Sequence, residues 1–376
     1  MKYLIHLSIA AATLAAVSCG GKKTAGENNT ETPAEKPNPA DTMLYKGETH
    51  FKNLRRITFK GDNAEAYWSW DSKSLVFQAN NEDWGTKCDQ IFIYNLADSN
   101  LKTMKPQMVS TGMGRTTCSY FMPGDSLIVY ASTHEADKNC PEVPERKEGR
   151  YVWPIYSTYD IYIADLKGNI RRNITNRKGY DAEATVSPKG DKIVFTSDRS
   201  GDLELYTCDL DGGNVKQITH DLGYDGGAFF SPDGSKLVFR ASRPKTPEDI
   251  KEYKDLLKQG LVEPGAMELF VVNVDGTDLR QVTNLGKANW CPFYHPDGKR
   301  IIFGSNHHAG EGRKGFKFNL FMINEDGTGL EQISFDDTFD AFPMFSPDGK
   351  YIVWESNRFN GDTHDTNIFI AEWKDK

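Results

Sequence analysis

Residues 231–242 read Ser231-Pro232-Asp233-Gly234-Ser235-Lys236-Leu237-Val238-Phe239-Arg240-Ala241-Ser242. The first four make a tight corner. Pro presets φ at the second position of a type I turn, Asp suits the third, and Gly relieves crowding at the fourth. The residues behind the corner form a largely apolar run of strand length, and a second apolar run, GGAFFS, leads into it. Together they read as a β-hairpin.

The same corner recurs along the chain. Ser187-Pro188-Lys189-Gly190, His295-Pro296-Asp297-Gly298 and Ser346-Pro347-Asp348-Gly349 precede DKIVFTS, KRIIFGS and KYIVWES. Two degenerate copies stand upstream: Ser69-Trp70-Asp71-Ser72 before KSLVFQA and Met122-Pro123-Gly124-Asp125 before SLIVYAS. Those two corners are expected to differ in turn type. The corner positions 70, 123, 188, 232, 296 and 347 are spaced by 53, 65, 44, 64 and 51 residues. Each unit adds a third strand (QIFIYNL, DIYIADL, ELYTCDL, ELFVVNV, NLFMINE, NIFIAEW) and usually a short fourth (IRRNIT, VKQIT, LRQVT, LEQIS). Four antiparallel strands in each of six units predict an all-β fold, a six-bladed β-propeller. The last unit, ending in NIFIAEW at residues 367–373, has no fourth strand after it, whereas Leu54-Arg55-Arg56-Ile57-Thr58 reads as a fourth strand without a unit before it. Pairing these two closes the ring and protects two strand edges.

The corner and the run Thr196-Ser-Asp-Arg-Ser-Gly-Asp-Leu-Glu-Leu-Tyr206 resemble the TolB-like six-bladed propeller repeat over nearly all of residues 50–376. The resemblance implies a scaffold on which many activities sit. In TolB an α/β domain precedes the propeller, where here a tether stands.

Residues 1–18 place Lys2 ahead of an apolar stretch from Leu4 to Val17, the layout of a secretory signal. Ala16-Val17-Ser18-Cys19 resembles the lipobox of bacterial lipoproteins, which implies cleavage before Cys19 and a diacylglycerol on its sulfur. Residues 19–48, rich in Gly, Pro, Glu, Lys, Asn and Thr, read as a flexible tether, and residues 49–376 as the propeller. The expected location is the bacterial cell envelope, periplasmic or on the outer membrane, on a lipid anchor. With 45 basic against 53 acidic residues and a net charge of −8, nucleic acid is not an expected partner. Among Cys88, Cys118 and Cys140 a disulfide is plausible in an oxidising compartment, while Cys208 and Cys291 suit buried thiols in strands.

Two insertions carry the candidate chemistry. Residues 134–158 join the second and third strands of the second blade, with Tyr151, Trp153, Tyr156 and Tyr159 at their exit. Residues 243–266 interrupt the fourth blade at the same place; Thr246-Pro247-Glu248-Asp249 starts a helix whose Ile250, Tyr253, Leu256 and Leu257 share a face until Gly260. Both leave from one edge of the disc, either to wall a cleft and dock a partner or as decoration packed on the disc. Seven residues before the corners stand Asn63, Thr116, Asp181, Asp225, Asn289 and Asp340, a ring at one tunnel mouth. It would bind a cation, a sugar or a peptide N-terminus, or simply cap strands and hold channel water. Two residues further on, Glu65, Cys118, Glu183, Gly227, Cys291 and Phe342 are too mixed to define a site.

Gly-x-Ser-x-Gly is absent, and His134, His220, His295, His307, His308 and His364 are scattered over loops and turns. The expectation is a non-enzymatic, membrane-tethered monomer without a cofactor, binding a protein or peptide at the insertion-bearing face. The alternative is a lyase- or peptidase-related propeller enzyme or carbohydrate-binding protein at the tunnel mouth, with a divalent metal on His295, His307 and His308 as one version.

Overall fold

The computed structural model describes residues 43–98, 104–144, 151–309, 317–361 and 363–375. Cys19, the signal and most of the tether lie outside them. The strands are short because the corners recur so often. After β1 (Phe51–Arg56), the first blade is β2 (Asp62–Trp68), β3 (Ser74–Asn80), β4 (Gln90–Asn95) and β5 (Gln107–Met108). The second is β6 (Thr116–Phe121), β7 (Leu127–Ser132), β9 (Asp160–Asp165) and β10 (Ile170–Asn173), with β8 (Trp153–Pro154) in its insertion. The third is β11 (Asp181–Val186), β12 (Lys192–Ser197), β13 (Glu204–Asp209) and β14 (Lys216–Gln217). The fourth is β15 (Asp225–Phe230), β16 (Lys236–Ala241), β18 (Glu268–Asn273) and β19 (Arg280–Gln281), with α1 (Pro247–Lys258) and β17 (Leu261–Val262) inserted. The fifth is β20 (Asn289–Tyr294), β21 (Arg300–Ser305), β22 (Asn319–Asn324) and β23 (Glu331–Gln332). The sixth joins β24 (Asp340–Phe345), β25 (Tyr351–Ser356) and β26 (Asn367–Trp373) to β1.

The seam is built as the sequence predicts. β1 runs antiparallel to β26, with Phe51 opposite Trp373 and Arg56 opposite Phe369. Phe51 stacks on Trp354 at 4.6 Å, and Leu54 is fully buried. Arg358, also fully buried, donates from Nη2 to Glu48 at 2.9 Å and to Asp340 at 3.0 Å.

Blades stack face to face, so the inner strands are buried on both sides; β11 and β15 contain only buried residues. Neighbours are stitched by polar bonds such as Trp68 Nε1 to the Met344 carbonyl at 3.2 Å and Trp70 Nε1 to that of Phe121 at 3.1 Å. The corners share one bond: Gly234 N donates to Ser231 O at 2.8 Å. The degenerate corners make it too, Ser72 N to Ser69 O at 3.0 Å and Asp125 N to Met122 O at 3.1 Å. Ser72 and Asp125 there take the left-handed backbone (φ 59° and 54°) that Gly supplies elsewhere. Only the second departs in type, with φ +84° at Gly124 in its third position.

Antiparallel order places the start of every inner strand and every connection from second to third strand on one face of the disc. Both insertions therefore rise from the rim of the same tunnel mouth. They also pair with each other: β8 and β17 form a two-stranded sheet, Leu261 opposite Pro154 and Val262 opposite Trp153. Helix α1 has the expected capping box, Thr246 and Asp249 bonding each other's backbone, with Tyr253 as its buried side chain. Of the three cysteines in the first third, Cys88 and Cys140 form the disulfide, tying the first insertion to the first blade. Cys118, Cys208 and Cys291 are buried thiols.

Candidate functional site

Every inner strand carries a bulge in its pairing with the second strand, and that bulge makes the site. The register slips between Ala64 and Tyr67, Thr117 and Tyr120, Ala182 and Thr185, Gly226 and Phe229, Trp290 and Phe293, and Ala341 and Met344. At each slip one residue takes positive φ: Glu65 (55°), Cys118 (46°), Glu183 (59°), Gly227 (59°), Cys291 (50°) and Phe342 (52°). A bulge re-aims a side chain, and here all six positions border the central tunnel. The mixed set of the sequence reading is thus the tunnel lining.

The six positions two residues earlier sit differently. All are fully buried, and each side chain is held by its own neighbours. Asp181 receives Arg199 at 2.9 Å and Arg177 at 3.4 Å, Asp225 lies against Arg243, and Asp340 against Arg358. Burial pushes the Asp225 carboxyl up to about 6 despite that arginine. Asn63 Nδ2 donates to the Lys60 and Thr366 carbonyls at 2.9 and 2.8 Å, Asn289 Nδ2 to the Met267 carbonyl at 2.9 Å, and Thr116 Oγ1 to the Asp89 carbonyl at 3.0 Å. Among the described residues, Thr116 is the one of these six that borders the cleft. These groups fasten the start of each inner strand to the loops around it, with Arg199, Arg243 and Arg358 coming from the loop after the second strand of the same blade.

The cleft, about 1240 Å³, lies at the tunnel mouth on the insertion-bearing face and narrows to a chamber of about 20 Å³, room for one water. One wall is aromatic. The Trp153 ring lies 5.1 Å from Trp290 and 6.3 Å from Tyr224, and Tyr159 lies 5.8 Å from Tyr156 and 6.0 Å from Tyr180. The second insertion braces this wall from behind, its Pro264 carbonyl accepting from Trp290 Nε1 at 3.0 Å.

Arg240 of β16 forms the floor, its guanidinium 5.0 Å from the Trp153 ring and 5.5 Å from Tyr224. Its Nη2 donates to Glu183 Oε1 and, at 2.8 Å, to the Tyr224 hydroxyl. The Tyr224 hydroxyl donates to Glu183 at 2.7 Å, and Glu183 Oε2 also accepts from Thr196 Oγ1 at 2.6 Å and Gly227 N at 2.9 Å. Glycine is required here, because a Cβ at Gly227 would stand 2.0 Å from Arg240 Nη1 and one at Gly226 2.3 Å from the Tyr224 oxygen. Across the tunnel Glu65 is partly buried beside the buried Cys118, and desolvation raises both the carboxyl and the thiol. Behind it Glu355 Oε1 accepts from Ala66 N at 2.7 Å, while Oε2 has no partner among the described residues.

The sequence did hold a signal for this floor: a charged or amide residue within an otherwise apolar second strand (Gln78, Arg240, Glu355) and the Gly226-Gly227 pair. The histidines of the metal alternative are not brought together. His295 lies at the corner before β21 and His307 and His308 beyond its far end, so they sit on opposite faces. Among the described residues no group of three or more His, Cys, Asp or Glu could hold a metal.

A six-bladed propeller with an aromatic cleft over a charged tunnel floor defines the class. Residues 154–251 match the family model for the TolB beta propeller domain. The fold is similar to the putative TolB from Agrobacterium tumefaciens, with TM-score 0.53 and 18% identity over 86% of this chain and 97% of that one. It is similar also to TolB from Acinetobacter baumannii, with TM-score 0.53 and 19% identity over 81% of this chain and 65% of that one. The chain thus has a six-bladed β-propeller fold similar to that of TolB. No curated protein matches it in sequence.

Proposed function

We propose that this protein is a non-catalytic binding propeller, tethered to the cell envelope through Cys19, that holds an extended segment of a protein partner in its cleft. The observation that carries the reading is the composite wall, in which two insertions from separate blades pair through β8 and β17 to present aromatic rings over the tunnel. A cleft of this volume, with one aromatic wall and polar and charged side chains such as Asp62, Arg115 and Asn357 around the rest, suits an extended peptide segment better than a flat protein surface. Glu183 and Tyr224 are bonded to each other and to Arg240, which suits holding rather than turnover.

Photo-cross-linking in the native cell tests this. A photoreactive phenylalanine replacing Tyr156, at the cleft, should give one dominant protein adduct, and the same residue replacing Lys189, on the opposite face, should not. Equal adducts from both positions, or none from Tyr156, would sink the reading.

A further inference from the structure

We infer that the tunnel floor is a carboxylate receptor, in which Arg240 receives a carboxylate from the segment held in the cleft. The inference rests on the binding reading above and names the chemistry it would recognise. A guanidinium has five N–H donors in a planar fork. In Arg240 the hydrogen bonds run from Nη2, and Nε is buried with no hydrogen-bond partner among the described residues, in a residue only 8% exposed. A buried donor left without an acceptor is unfavourable, and an arriving acceptor removes that cost. The missing side chain at Gly227 keeps the space beside Nη1 open.

Among the described residues, the other Arg and Lys side chains of the cleft are already matched. Arg115 is paired with Asp89 and Lys317 with Asp337. Of the acids facing Arg240, Glu183 is held by the Tyr224, Thr196 and Gly227 donors in addition to the arginine. Glu65, whose carboxyl burial favours in the neutral form, adds little repulsion toward a second carboxylate. An arginine between two carboxylates, with aromatic rings against its faces, is a strong geometry for charge-assisted bonding. The cleft narrows toward Arg240, which also lines the wide cleft itself, so a chain end or a single side group reaches the guanidinium from the cleft and a folded surface does not. The carboxylate is therefore the C-terminus of a peptide or an Asp or Glu side group.

Three pools of N-acetylated tetrapeptides of uncharged residues distinguish the sources. One ends in a free carboxylate, one is amidated, and one is amidated with an internal Asp; binding is followed by tryptophan fluorescence and calorimetry on the intact protein. The free-acid or the Asp pool should bind about ten- to a hundred-fold more tightly than the neutral pool, and Arg240→Lys should abolish that preference. Should Arg240→Lys fail to fold, the Arg240 Nε–H resonance of the ¹⁵N-labelled wild type decides: it should move with an acidic pool and stay with the neutral one. Equal binding of all pools, or no binding, would overturn the carboxylate assignment; an intact Tyr156 cross-link beside that result would leave the binding reading standing. Preference for a uronic acid disaccharide over every peptide, with no Tyr156 adduct, would overturn both.

Discussion

Glu355 shows what a single residue costs this fold. It is wholly buried, one carboxyl oxygen accepting from Ala66 N and the other without a partner among the described residues, and burial raises its pKa well above the ordinary 4.5. Glu65 beside it shifts in the same direction. The unfolded protein ionises these groups from about pH 4.5 upward while the folded protein keeps the protons, so stability is full below that pH and falls as pH rises toward the folded pKa values. Glu355→Gln keeps the acceptor for Ala66 N and removes the ionisation. It should stabilise the protein by roughly 1–3 kcal/mol, and more at about pH 8 than at about pH 5. Urea denaturation at both pH values measures this, and an equal gain at both would contradict the assignment. The bulge residues were legible as a position but not as a site, because an extended strand and a bulge have the same composition; only the backbone reveals that Glu65, Cys118, Glu183, Cys291 and Phe342 adopt the left-handed region.

At the scale of elements, local chemistry was read well where it is local. Thr246, Pro247 and Asp249 start α1 as their side chains require, and Gly260 beyond its end has φ +69°. Thr246→Ala should cost about 1 kcal/mol of helix stability. Amide exchange should quicken within Pro247–Lys258 and β17 while β15 and β16 stay protected; unchanged helix protection would show that packing of Tyr253, not the cap, holds α1. The pairing of β8 with β17 was not legible. Each is two residues long, and the partners are more than a hundred residues apart, so neither segment has a strand signal of its own. The corner turns lie between these extremes. Ser72 and Asp125 hold the corner geometry without glycine, and Asp125 gains from it by accepting the backbone N–H of Trp70 at 2.8 Å and of Asp71 at 3.0 Å from the neighbouring blade.

For the whole molecule, the ring depends on a short contribution from β1. Phe51→Ala removes the ring stacked on Trp354 and should destabilise the fold by about 3–5 kcal/mol. The urea midpoint should fall, and cleavage near residue 58 should quicken under limited proteolysis. A midpoint within experimental error of wild type would mean the seam is not held by this contact. The repeat of corner, apolar run and closing strand determined on its own the number of blades, the strand order and the identity of the closing strand, because turn chemistry and period-two burial act over a few residues. It likewise marked out both insertions and the helix within one of them. What only the tertiary structure decided is which side chains meet. The acidic positions at the strand starts turn to arginines in their own loops, the bulges turn the next positions inward, and two insertions from blades two apart join to roof the tunnel. Those outcomes depend on register shifts and on contacts between residues far apart in the sequence, and neither leaves a trace in local composition.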